Sequence, residues 1–194
     1  VEISADYGVP ILPRGSGSSL GGQAVGPAMI VDCSRYLDHI LAFDPEARTV
    51  TVEPGVILST LNRIVGEYGL QFGPDPASAE RATLGGSIAS NATGAHSILY
   101  GMAADHVMEV EVVLSDGTIA LFHEKYMNEA RRIAEHPSSG VEKSSILTNI
   151  YRVALNIREN KSEIIHKNWP RTWRCASGYT INYLLPWAAS QPPM

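Results

Sequence analysis

The sequence predicts an α+β fold of two lobes. Three observations lead to it. Short apolar runs of strand length cluster in the first part of the chain, an antiparallel hairpin pattern follows around Asp116-Gly117, and segments of helical spacing lie between and after them. The chain has 194 residues, 44% hydrophobic and 18% charged, which suffices for one ordinary domain or two small lobes with a real core.

The opening "VEISADYGVP" reads as the last turns of an amphipathic helix, with Val1, Ile3 and Tyr7 as its apolar marks and Gly8 as its stop. Val9–Leu12 has the character of a short buried strand, and Ala28–Asp32 is a second apolar run. Thr49–Gly55 alternates Val50 and Val52 with polar neighbours and stops at Pro54-Gly55, the pattern of a half-buried strand. Over Val56–Tyr68 the spacing becomes helical. Ile57, Leu58, Leu61, Ile64, Val65 and Tyr68 share one face, Gly69 ends the segment, and core packing is its expected role. Leu70–Asn91 reads as loop-rich.

Met108–Leu121 is the clearest hairpin. Val110, Val112 and Leu114 point one way, Glu109 and Glu111 the other, and Asp116-Gly117 turns the chain. A short helix is expected from Glu124 to about His136, and a longer one over Lys143–Ile165. The first residue is Val1 and the chain trails off in "WAASQPPM", so the sequence is expected to be a piece of a longer protein.

Composition removes several function classes. A net charge of −5 gives no general affinity for nucleic acid or for anionic membranes. Aromatic residues make up 7%, too few for a base-stacking platform. Cys33 and Cys175 stand far apart with no C-x-x-C spacing, so no metal site is expected, and two lone cysteines suit a reducing compartment. No apolar stretch reaches membrane-spanning length.

Val9–Pro27, "VPILPRGSGSSLGGQAVGP", sets Gly15, Gly17, Gly21, Gly22 and Gly26 around Ser16, Ser18 and Ser19, with Arg14 in front. A Walker-type phosphate loop requires a lysine, and this stretch has none. A Rossmann fingerprint requires a third glycine where Leu20 stands, followed by a good helix start. What remains is a wide nest of peptide N–H groups facing an anion, with a mobile linker as the open alternative. Arg14 adds charge to such a nest or forms an ordinary surface ion pair.

A second segment, Gly73–Gly101, bears on that choice. It carries Pro74, Pro76, Gly85-Gly86, Asn91, Gly94 and Tyr100-Gly101 with few charges. Structureless loops of such length are usually functional. Two donor-rich, sparsely charged segments suit one large ligand with phosphates and ring systems, as in a nucleotide cofactor.

Four motifs in order, "VPILPRGSGSSLGG", "FGPDPAS…ATLGGSIASNATG", "YGMAADHVMEVEVVLSDGT" and "RCASGYTINYLL", resemble the FAD-linked oxidases with a PCMH-type FAD-binding domain. Within these they are similar to the branch that holds the flavin subunit of glycolate oxidase and the D-lactate and D-2-hydroxyglutarate dehydrogenases. The resemblance covers nearly all of residues 1–194 and implies two α+β subdomains holding FAD between them, with a subdomain boundary near 70–80. It implies that Pro13, Arg14, Gly15, Ser16, Gly17, Ser18, Ser19 and Gly21 lie along the FAD diphosphate. Pro74, Asp75, Pro76, Ala77 and Ser78, then Thr83, Gly85, Gly86, Ala89, Asn91, Ala92 and Gly94, would line the path toward the flavin, and Tyr100 and Gly101 would end that wall. Backbone amides near Gly85, Gly86 and Asn91 are expected donors. His106 is read as structural.

Some relatives attach FAD through a histidine in the first loop. Ser18 holds that position here, so non-covalent FAD is expected. The resemblance further implies a substrate domain beyond this sequence that meets a D-2-hydroxy acid, so no catalytic residue is assigned within it. Arg171 and Arg174 fall in a basic loop that either meets a substrate carboxylate or is solvated. An iron–sulfur or other electron-transfer partner is implied by the larger members, with a cytoplasmic location, peripheral to the inner membrane in the whole protein. The competing expectation is a non-catalytic FAD-binding module without a substrate site.

Overall fold

A computed structural model describes residues 1–135, 145–172 and 178–185. The chain divides into two compact units, one running Ile3–Val107 and the other taking Val1–Glu2 and the described residues from Met108. Within the first unit, Leu70, Phe72 and Ala79 pack on the same apolar cluster as Val56 and Leu58.

In the first unit, helix α1 (Glu2–Tyr7) ends at Gly8, whose φ of 62° reverses the chain. Strand β1 (Ile11–Arg14) follows, two residues later than the sequence suggested, because its register is set by parallel pairing with β2 (Met29–Asp32). Ile11 faces Met29 and Arg14 faces Asp32. Parallel neighbours cannot be joined by a tight turn. The glycine-rich stretch is the crossover between them.

Strand β3 (Ile40–Asp44) pairs antiparallel with β4 (Thr49–Val52). The sequence reading did not single out β3, whose "ILAFD" lacks alternation; half-buried Phe43 opposite Val50 marks its inner face. Helix α2 (Leu58–Gly66) buries Leu58, Leu61 and Val65, as their spacing requires, whereas Tyr68 lies beyond its end and is 59% exposed. Those three residues, Val56 and Leu84 form the core of the unit, with Ile40, Val50 and Val52 packed against it. Each such aliphatic side chain contributes about 1.5–3 kcal/mol through burial.

A short helix, α3 (Leu84–Ala89), lies within the stretch expected to be loop. Two consecutive glycines hide it from propensity. It forms because Thr83 caps it, accepting from the Gly86 amide at 3.3 Å, and because Leu84 joins the core. Its start is stitched to the start of α2: the Leu58 amide donates to Ala82 and the Leu84 amide to Val56. A single-turn helix, α4 (Ser97–Tyr100), and a 3-10 turn at Ala103–His106 complete the unit.

The second unit opens with the expected hairpin, β5 (Glu109–Val113) and β6 (Ile119–His123). Asp116 Oδ1 accepts the Thr118 amide at 3.0 Å, and Gly117 takes a φ of 84°, so the Asp-Gly pair makes the turn. Helix α5 (Met127–Glu135) packs on α6 (Ser145–Asn160), tied by Arg131 to Glu159 at 2.8 Å. The ring of Phe122 stacks on Tyr151 with centroids 6.2 Å apart. The single helix expected over Lys143–Ile165 is two: it breaks at Lys161, and α7 (Ser162–Asn168) continues.

Candidate cofactor site

The crossover between β1 and β2 presents main chain rather than side chain. Among the described residues, no amide from Gly15 through Ala24 donates a hydrogen bond within the chain. Residues 16–23 are exposed. Gly17 has a φ of 70°, in the left-handed region that turns neighbouring amides toward a common side, as in an anion-binding nest. Ser16 and Ser18 hydroxyls approach to 3.4 Å, and Ser19 donates to Gln23 Oε1 at 2.5 Å. No acidic side chain occurs between Val9 and Pro27.

Arg14 runs its stem beside Gly17, where a Cβ would lie 3.5 Å from Arg14 Cδ, and its charge is engaged elsewhere. Its guanidinium meets Asp32 on the neighbouring strand at 3.2 Å, the ion pair left open by the sequence. Asp32 Oδ1 also accepts from the Ser34 hydroxyl and amide at 2.6 and 3.0 Å. Chiefly through those bonds from Ser34, with help from Arg14, its carboxyl is held below the usual range.

Thr83 brings the second glycine-rich segment to the first. A Cβ on Gly15 would overlap Thr83 Oγ1 and come within 3.2 Å of its Cβ. Thr83 is 2% exposed and pairs with Ile57 in an isolated antiparallel bridge. The structure therefore lays the crossover against the N-terminus of α3.

The amides expected to be donors in this second segment have partners within the chain. Gly85 donates to the Pro54 carbonyl at 2.8 Å, Gly86 to Thr83, and Asn91 to the Ile88 carbonyl at 3.0 Å. Asn91 has a φ of 44°, and its Oδ1 accepts the Ala104 amide at 2.9 Å, so it acts as a turn residue. The Ala92 amide donates to the Ser87 carbonyl at 2.7 Å. Ala77 and Ala89 are exposed, and Pro74 is buried. The backbone carbonyls of Pro76 and Ser78 accept amides of Ala79, Arg81 and Ala82, which makes a local turn.

Tyr100 packs: a Cβ on Gly73 would fall 2.6 Å from its Cβ. His106 is structural, with Nε2 at 2.8 Å from the Tyr100 carbonyl and its ring 5.2 Å from Phe72. The sequence reading missed the pair of Asp75 and His96, which meet at 2.7 Å. They lie 21 residues apart, so no local pattern announces them. Arg171 is exposed. Arg174 lies outside the described residues.

Among the described residues, Asp38, His39 and Glu53 bring three potential ligand atoms together. The cluster is accounted for as an ion pair. Glu53 Oε2 accepts the His39 amide at 2.9 Å and meets His39 Nδ1 at 2.7 Å. The bond to Glu53 raises the His39 pKa, and the His39 amide and ring lower that of Glu53. No helix among the described residues is long and apolar enough to cross a membrane.

A glycine-rich crossover with unpaired amides, set between two parallel strands and against a capped helix, has the chemistry to receive a phosphate-bearing cofactor. Residues 1–122 match the model of a family described as an FAD binding domain. The chain belongs to that family, and FAD is its cofactor. It is 33% identical over 176 residues to a D-2-hydroxyglutarate dehydrogenase of Pseudomonas putida, covering 91% of this chain and 17% of that protein. It is 41% identical over 120 residues to glycolate oxidase subunit GlcD of Bacillus subtilis, covering 61% of this chain and 26% of that one. Of solved structures, an alkyldihydroxyacetonephosphate synthase matches with a TM-score of 0.54 and 26% identity, over 64% of this chain and 25% of the other. The chain thus spans a minor part of the length of these relatives. Its residues fit FAD: a run of unpaired amides with no acidic side chain among residues 9–27.

Proposed function

We propose that this chain is the FAD-holding part of a flavin-dependent dehydrogenase or oxidase that oxidises a D-2-hydroxy acid. The observation that carries the reading is the run of unpaired amides over Gly15–Ala24 between two parallel strands. Bound FAD supplies a flavin that accepts a hydride from the hydroxy acid's α-carbon. The chain's own part is binding and orientation. Amides of Gly15–Ser19 and Gly21 hold the diphosphate, aided by the hydroxyls of Ser16 and Ser18. The capped start of α3 supports them from behind and keeps Gly15 in place.

Ser18 cannot form a histidyl link to flavin, so FAD is held non-covalently. The substrate and its acid–base groups are met by polypeptide outside these residues, which agrees with the small share of the relatives' length spanned here. Electrons leave to an iron–sulfur or other electron-transfer partner. Two cysteines far apart in sequence support a reducing, cytoplasmic setting, with peripheral attachment to the inner membrane where the acceptor resides there.

The test is the absorption spectrum of the purified protein after incubation with FAD and desalting, before and after acid precipitation. Flavin bands that move into the acid supernatant are expected. Protein that takes up no flavin overturns the site, and flavin retained in the pellet overturns non-covalent attachment.

A further inference from the structure

Asp75 poses a contradiction. The family resemblance places it along the cofactor, yet a free carboxylate beside a diphosphate repels it. The structure engages both of its oxygens elsewhere. Oδ1 accepts the His96 amide at 2.8 Å, and Oδ2 meets His96 Nδ1 at 2.7 Å. The neighbouring backbone is equally close, because a Cβ on Gly94 would overlap the Asp75 carbonyl. The Gly94 amide donates to Ser97 Oγ at 2.9 Å, and Ser97 is 4% exposed. Further along, Gly73 abuts Tyr100 and Phe72 abuts His106. The strip 72–75 is therefore laced to 94–106 at three successive points, of which Asp75–His96 is a hydrogen-bonded one.

We infer that Asp75 and His96 form a clamp that sets the spacing between these two strips, and that Asp75 is a positioning residue acting through His96 rather than by touching FAD. The inference rests on the FAD-site reading above. Asp75 and His96 side chains are 35% and 63% exposed, so the pair adds little to global stability. Its effect is to be read in cofactor geometry.

The experiment titrates FAD into the chain and into Asp75→Ala, His96→Ala, the double variant, Asp75→Asn and, as a control in the other unit, Arg131→Ala. Dissociation constants, apo-protein melting temperatures and the visible circular dichroism of bound flavin are measured. Asp75→Ala and His96→Ala should each weaken FAD by about five- to tenfold and alter the flavin dichroism, with the apo melting temperature falling by no more than about 3 °C. The double variant should lose no more than either single one. Asp75→Asn, which keeps an acceptor for the His96 amide, should recover most of the affinity, and Arg131→Ala should bind FAD as the parent does.

A parent chain that binds no FAD overturns the site reading and the clamp with it. A parent that binds FAD, with Asp75→Ala and His96→Ala binding equally well, overturns the clamp alone. Additive losses in the double variant, or losses that merely follow the melting temperature across all variants, also overturn it.

Discussion

Gly15 lies against Thr83 so closely that a single methyl group between them would overlap the threonine hydroxyl. That hydroxyl also caps α3 by accepting the Gly86 amide. One threonine thus fixes the start of a helix and the distance of a glycine-rich crossover from it.

Gly15→Ala is expected to destabilise the chain by about 1–3 kcal/mol through overpacking, and Thr83→Ala by about 1 kcal/mol through loss of the cap. The double variant should be less destabilised than the sum, because removing the hydroxyl makes part of the space the new methyl needs. Urea unfolding of the four proteins measures this; strict additivity would show that the two residues do not share the space.

Gly17 adopts a φ of 70°, which a β-branched residue enters only with strain of about 1–2 kcal/mol. Its loop is exposed and contributes no core side chain. Gly17→Val should therefore abolish flavin retention while far-ultraviolet circular dichroism stays that of the parent. A Gly17→Val protein as yellow as the parent after desalting would refute the nest.

The pair of His39 and Glu53 carries a pH signature. The Glu53 pKa is lowered in the fold, so its contribution is present above the ordinary glutamate value and lost as pH falls through the lowered one. The His39 pKa is raised, so its contribution is present below the ordinary histidine value and lost as pH rises through the raised one. The pair is therefore strongest in mildly acidic solution. Titration of the His39 ring by NMR should show a raised pKa that returns toward the ordinary value in Glu53→Gln; no change on that substitution would remove the pair as its cause.

Leu61 is 2% exposed at the centre of the first unit's core. Leu61→Ala should cost about 2–5 kcal/mol, measured by thermal or urea unfolding. FAD at saturating concentration should recover part of the lost melting temperature, since a ligand that binds the folded form stabilises it by mass action. Failure of FAD to raise the melting temperature of either protein would count against binding in this unit.

Periodic elements were legible in the sequence. The face of Leu58, Leu61 and Val65, the alternation through Val110 and Val112, and the Asp116-Gly117 turn follow from local chemistry. The glycine-rich crossover was legible too, because glycine, serine and the lack of acidic residues are properties of composition. Helix α3 was not, since its stability comes from Thr83 and from Leu84 entering the core, both of which outweigh the low helix propensity of Gly85-Gly86. The break at Lys161 was hidden by apolar residues that continue the helical rhythm on either side.

The sequence by itself determined the kind of backbone this protein presents: a long, small-residue, acid-free stretch between two strands, and a second glycine-rich segment with few charges after it. The tertiary structure alone decided which amides of those stretches stay unpaired. Hydrogen bonds of the Gly85 amide to Pro54, the Ala104 amide to Asn91 Oδ1 and the His96 amide to Asp75 Oδ1 join groups across sequence separations that no local pattern encodes. Composition governs which conformations a segment can reach, whereas partners for its polar groups exist only once distant parts of the chain have been packed together.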